Sequence, residues 1–139
     1  MKTVMAFGTF DPLHLGHLRY FQAAKKHGTR LVVVVARDAT VRKTKGMLPR
    51  FAERDRLEMV KALRIVDLAV LGGKGDKLAV IRKFRPSVVV LGYDQRVDEG
   101  CLEEKLREAG LKARVVRVAK PYAPLRHKSS AIKRAGFGD

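Results

Sequence analysis

A chain of 139 residues, 46% of them hydrophobic, suits one compact domain over residues 1–139, with a core between a sheet and covering helices, and leaves no room for a second full domain. Its formal net charge of +16, from 30 basic against 14 acidic side chains, sets up a positive field that draws polyanions without choosing between nucleic acid and small phosphorylated molecules. The single cysteine, Cys101, read as a half-buried helix residue, excludes an internal disulfide or cysteine-based zinc site, and no apolar run approaches the roughly 20 residues that cross a bilayer, so the expected location is cytoplasmic.

Taken in chain order, Lys2 to Phe7, Leu31 to Ala36, Leu68 to Leu71, Val88 to Leu91 and Val115 to Val118 are short apolar or β-branched runs. Such runs predict strands buried on both faces, as in a parallel sheet. Between them, Leu15, Leu18 and Phe21, then Val60, Leu63 and Val66, then Leu102, Leu106 and Ala109 fall at helical spacing. Alternation of strand and helix predicts a Rossmann-like, doubly wound α/β fold with a parallel five-stranded sheet and helices on both faces. Ligands of such a fold sit beyond the carboxyl ends of the strands, where strand order reverses. Gly72-Gly73-Lys74-Gly75 reads as a turn. The Pro121 and Pro124 region predicts irregular chain, followed by a short helix capped near Ser129 and Ser130.

The loop after the first strand carries the chemistry. Gly8 permits a tight turn, and His14-Leu15-Gly16-His17 falls where the next helix begins. Two imidazoles therefore stand at the positive end of a helix, beside amides expected to be unpaired. Gly16 is expected to let a phosphate approach the backbone, and the histidines to donate hydrogen bonds to its oxygens as charge builds in the transition state. The basic run Thr40-Val41-Arg42-Lys43-Thr44-Lys45-Gly46 reads either as a solvated loop or as a second phosphate contact.

At these residues the chain resembles the His-x-Gly-His nucleotidyltransferase superfamily. The likeness continues through Arg56, through Gly92-Tyr93-Asp94-Gln95, and to Ser129-Ser130. It implies that Thr9, Phe10, His14, Gly16 and His17 hold a triphosphate, that Asp94 contacts the nucleoside, and that Tyr122 lines the base pocket. Ser129 and Ser130 would form a second phosphate clamp, and Lys43 and Lys45 would face the acceptor phosphate. His14, His17 and Lys45 would be catalytic, and Arg56 a structural residue near the site.

Within the superfamily the chain is most similar to the archaeal-type FAD synthases, through Ala36 to Gly46, Leu91 to Gln95 and the paired serines. Glycerol-3-phosphate cytidylyltransferases, the alternative, usually carry a tryptophan after strand four and an Arg-Thr-Glu-Gly-Ile-Ser-Thr segment. This chain has no tryptophan and reads Arg126-His127-Lys128-Ser129-Ser130 there. Members of the FAD synthase group tend to carry cysteines just before the serines, where Leu125 to Lys128 has none. The resemblance implies adenylyl transfer from ATP to FMN, giving FAD and pyrophosphate, with a divalent ion, Mg²⁺, bridging triphosphate oxygens and no protein metal ligands. It also implies a homodimer, while the lack of a long apolar run leads us to expect no membrane partner, and no nucleic-acid partner is expected. A basic nucleic-acid-binding domain is the rival of another class, but the aromatic residues lie in core-like segments rather than interleaved with arginines.

Overall fold

The computed structural model describes residues 2–73, 77–92 and 95–118. Its elements run β1 (Thr3–Gly8), α1 (Leu15–Lys25), β2 (Arg30–Val35), α2 (Asp38–Lys45), α3 (Glu53–Lys61), β3 (Leu68–Leu71), α4 (Lys77–Phe84), β4 (Val88–Leu91), α5 (Glu99–Glu108) and β5 (Arg114–Arg117). All five strands are parallel, in the order β3-β2-β1-β4-β5. The chain winds outward from β1 to one side and then crosses to the other, so the order reverses between β1 and β4.

Alternate strand residues feed two cores. Val4, Ala6, Val33 and Val35 pack with Tyr20 and Phe21 of α1 and Leu57 and Val60 of α3. Met5, Phe7, Val32 and Val34 pack with Val80 and Ile81 of α4 and Leu106 of α5. Helices therefore cover both faces, as the periodicity predicts.

Three helix readings are corrected. In α1 the buried residues are Tyr20, Phe21 and Ala24, while Leu15 is 36% exposed. The stripe facing the core starts at His17 and runs i, i+3, i+4, i+7, which places an imidazole where sequence patterning looks only for apolar side chains. Helix α3 ends at Lys61, so Leu63 and Val66 lie in the connection to β3, although Val66 is still buried. The basic run after β2 is helix α2, with Val41 its buried residue. One buried apolar position among so many charges gives no stripe for a sequence reading to find. Cys101 lies on α5 as expected, but it is exposed rather than half-buried.

The N-cap positions of helices α2 and α3 are Arg37 and Ala52, neither of which caps with its side chain. Each borrows a carboxylate from the other. Glu53 Oε1 accepts the Asp38 N–H at 2.8 Å, and Asp38 Oδ2 accepts the Glu53 N–H at 3.3 Å. Orphan amides at both helix starts are thereby satisfied, and the two helices are tied together beside the ends of β1 and β2.

Candidate functional site

Both imidazoles of the first loop are locked by the backbone. His14 is the N-cap of α1, and its Nδ1 accepts the Gly16 N–H at 3.0 Å. His17 Nδ1 accepts the His14 N–H at 3.1 Å, closing a reciprocal capping box. A capping box ordinarily joins a hydroxyl to a carboxamide or carboxylate; here two imidazoles fill both roles. With Nδ1 an acceptor on each ring, the neutral tautomer carries its proton on Nε2. The rings lie 4.0 Å apart between centroids.

Burial, assisted by the neighbouring His14, pushes the His17 pKa from 6.5 down to about 3. His17 is therefore a neutral donor through its Nε2–H. A bound polyphosphate would raise that pKa and strengthen the contact as charge builds.

The sequence reading expected unpaired amides at this helix start. Instead the Gly16 N–H goes to His14 Nδ1, and the His17 and Leu18 N–H groups go to the His14 carbonyl at 3.0 and 3.2 Å. The glycines also have a different use. A Cβ on Gly16 would meet His14 Cε1 at 2.8 Å, and one on Gly8 would meet the Phe10 ring at 2.5 Å. Gly16 makes room for an imidazole, and Gly8 for a benzyl ring.

Phe10 holds a positive φ of 57° and is 4% exposed, stacking edge-on against both His17 and Phe21. Its side chain is core and buttresses His17, so contact with a ligand would run through its backbone.

Arg56, 2% exposed, organises the rest of the loop. Its Nε donates to Phe51 O at 2.9 Å, Nη1 to Thr9 O at 2.9 Å and Ala36 O at 2.7 Å, and Nη2 to Asp38 Oδ1 at 2.7 Å. One guanidinium thus gathers the ends of β1 and β2 and the entry to α3. Asp11 adds a second tie, accepting the N–H groups of Arg50 at 2.6 Å and Phe51 at 2.9 Å.

At the switch point the β1–β4 ladder ends at Ala6 and Val90. Side chains take over from there. The Tyr20 hydroxyl accepts the Phe7 N–H at 3.3 Å and donates to Val90 O at 2.6 Å. The Gln95 amide donates to Phe7 O at 2.6 Å and accepts the Gly92 N–H at 3.0 Å. Arg117 then donates to Gly92 O and Gln95 O at 2.9 and 2.7 Å and to Val97 O, and pairs with Glu99. The ends of the loop between β4 and α5 are held from both sides.

A cavity of about 200 Å³ opens beside this point. Phe7, Gly8 and Thr9 contribute from β1 and its loop, and Val34 and Ala36 from the end of β2. Thr40, Val41 and Thr44 line it from α2, with Lys77 and Gln95 completing the wall.

The structure brings Phe10, His14, Gly16 and His17 into contact with one another, and places Thr9 just before them on the turn held by Arg56. Lys43 and Lys45 are on α2 but exposed, and neither side chain forms a hydrogen bond or ion pair with another described residue; the cavity takes Thr40, Val41 and Thr44 from that helix instead. Asp94, Tyr122, Ser129 and Ser130 lie outside the described residues. Sequence reasoning missed Lys77, Thr40, Thr44, Asp11 and Arg117. Thr40 and Thr44 stand in the basic run and Asp11 in the first loop, but no role fell to them there; Lys77 and Arg117 stand in no motif, and the roles of all five arise from partners distant in the chain. Among the described residues no group of three His, Cys, Asp or Glu side chains is placed to hold a metal ion, and no helix is long and apolar enough to cross a membrane.

Comparison with known proteins matches residues 5–135 to the cytidylyltransferase-like family. A FAD synthase of Thermoplasma volcanium is 43% identical over 96% of this chain and 94% of its own length. A FAD synthase of Methanothrix thermoacetophila is 51% identical over 86% of this chain and 82% of its own. The solved structure of a lipopolysaccharide core biosynthesis protein of Thermoplasma volcanium is 44% identical and superposes with a TM-score of 0.83, covering 86% of this chain and 97% of that one. With a capping box of two histidines at the switch point of a 3-2-1-4-5 sheet and relatives of this closeness, the chain belongs to the cytidylyltransferase-like family and, within it, to the FAD synthases.

Proposed function

We propose that the chain transfers the AMP moiety of ATP to FMN, giving FAD and pyrophosphate. The observation that carries this reading is the backbone-locked His14 and His17 pair at the switch point, in a chain of the FAD synthase family.

An FMN phosphate oxygen attacks the α-phosphorus of ATP in line, and the bond to the bridging oxygen breaks to release pyrophosphate. The nucleophile is already anionic near neutral pH, so alignment and charge stabilisation supply most of the rate. The neutral His17 imidazole, with its proton on Nε2, donates to phosphate oxygens beside His14, and a negative ligand draws it toward the charged form. Thr9 and the Phe10 backbone flank the same phosphates. Asp94, Tyr122, Ser129 and Ser130 complete the nucleotide site in this reading, and Lys43 and Lys45 attract the acceptor phosphate.

ATP enters as its Mg²⁺ chelate, the ion held by triphosphate oxygens and water. The donors of the first loop are suited to phosphate rather than to a cation, and the carboxylates of Asp11 and Asp38 are engaged by backbone amides and Arg56. We further infer a cytoplasmic homodimer with no nucleic-acid role. The exposed Met47, Leu48, Phe51 and Met59 offer apolar surface to a second copy, which sedimentation velocity tests.

Incubation with Mg²⁺, ATP and FMN is expected to yield FAD, and incubation with CTP and glycerol 3-phosphate is expected to yield no CDP product. Chromatography that finds no FAD above a His17→Ala control overturns the reading.

A further inference from the structure

The cavity beside the switch point differs from a phosphate site. Phosphate dianions are held by converging N–H donors and cations. Here Phe7, Val34, Ala36 and Val41 make the apolar part of the wall, Thr9, Thr40, Thr44 and Gln95 the polar part, and Lys77 is its one cationic residue. Phe7 and Val34 belong to the core under α4 and α5, whereas His17 packs with Phe10 and Phe21 over the opposite face. The cavity and the histidine grip therefore lie on opposite sides of β1 and share the Gly8 to Thr9 turn.

We propose that this cavity receives the ring end of the acceptor, with Lys77 set against the electron-rich carbonyl edge of the isoalloxazine and the phosphate passing over Thr9 toward the histidines. The inference rests on FMN being the acceptor. Its volume of about 200 Å³ holds one ring-sized group rather than a whole ligand, since complete small-molecule sites run to roughly 300–1,000 Å³. Phe7 and Val41 supply apolar contact for a flat ring. The Thr40 hydroxyl can donate or accept, and the Thr44 hydroxyl, which donates to the Thr40 carbonyl at 3.0 Å, is left as an acceptor; together they match a pyrimidine edge that carries both.

Lys77 Nζ stands 5.5 Å from the Phe7 ring centroid, which holds it beside that wall. Partial desolvation by the surrounding protein draws its pKa below the usual lysine range while the residue stays exposed, so the ammonium is open to a ligand that accepts its hydrogen bonds. Gln95 is spent on Phe7 and Gly92 and serves as fixed wall. Selection among acceptors then resides in the ring, and the phosphate is common to all of them.

Riboflavin, which lacks the phosphate, separates the two ends of the ligand. Titrations of wild type, Lys77→Met and Thr44→Val with FMN and with riboflavin are followed by flavin fluorescence, alongside KM for FMN and ATP in FAD formation. Lys77→Met is expected to weaken both flavins about tenfold and to raise KM for FMN by a similar factor. KM for ATP is expected to stay near the wild-type value. Thr44→Val is expected to weaken both flavins about threefold. Loss of FMN affinity with riboflavin unchanged would assign Lys77 to the phosphate and overturn the ring assignment. Unchanged affinity for both flavins in both variants would overturn it too, while wild-type FAD formation left the activity reading standing. A wild type that forms no FAD overturns the activity reading itself.

Discussion

The first loop and helix α2 carry the same expectation from sequence, contact with phosphate, yet they are built in opposite ways. In the loop every group is held: His14 and His17 by backbone amides, Phe10 by Gly8, His17 and Phe21, and Thr9 by Arg56. On α2, Lys43 and Lys45 stand exposed on a short helix tied down at its start and by Val41. Rigid neutral donors suit charge that develops at one place in the transition state. Mobile cations suit capture of an anion from solution. On the proposed reading, affinity for phosphate is divided between a part that must not move and a part that need not be still.

The largest effect should come from releasing the loop at its anchor. Arg56→Met leaves the Asp38 carboxylate and three carbonyls without their partner and is expected to cost about 3 kcal/mol or more of stability, read by chemical denaturation. A loss within the range of an ordinary surface substitution would show that the guanidinium is not the organising contact. His17→Ala should lower kcat about 10²- to 10³-fold, the effect of deleting one transition-state donor. Rapid-quench measurement of FAD formation checks this, and retention of near-wild-type turnover would remove His17 from the chemistry.

The pH dependence of stability distinguishes the two regions further. His17 has a folded pKa of about 3 against 6.5 unfolded, so between those values the unfolded chain binds the extra proton. Its contribution is complete above about pH 6.5, falls as pH falls toward 3, and is on the order of a few kcal/mol at most. His17→Gln should flatten that part of the denaturation profile. If the slope persists in the variant, another group carries it.

Smaller again is Gly16→Ala, where the added Cβ must displace the His14 ring. About a tenfold fall in kcat is expected with little change in stability, since a side chain rather than the backbone gives way. Equal loss in kcat and in melting temperature would argue for a folding defect instead. The smallest effect belongs to Lys43→Ala and Lys45→Ala, expected to raise KM for FMN about two- to fivefold at low salt. The difference should fade near physiological ionic strength as screening weakens exposed charges; a salt-independent defect would mean that these lysines are as fixed as the histidines.

How much of this could be read beforehand depends on the range of the contact. The five strands and their parallel arrangement follow from apolar runs, and the histidine pair from its spacing, because both are local patterns. Helix α2 hid behind its charges, having Val41 as its buried residue. The stripe of α1 was displaced because patterning does not count a histidine as core, although His17 occupies the first position of the buried face. Phe10 read as a ligand contact because its motif is local, whereas its burial against Phe21 is tertiary.

By itself the amino-acid sequence determined the α/β alternation, the position of the histidine pair proposed as the phosphate grip and, through likeness along most of the chain, the reaction class. Tertiary structure alone decided what holds the grip and what lies beside it. Arg56 reaches Thr9 across 47 residues, Asp11 reaches Arg50 across 39, and Gln95 closes on Phe7 across 88. Hydrogen bonds of that span leave no periodic trace, because each depends on where the sheet places two strand ends and not on the residues between them. Lys77 joins the cavity for the same reason: winding outward from β1 in both directions brings the start of α4 beside the turn after β1.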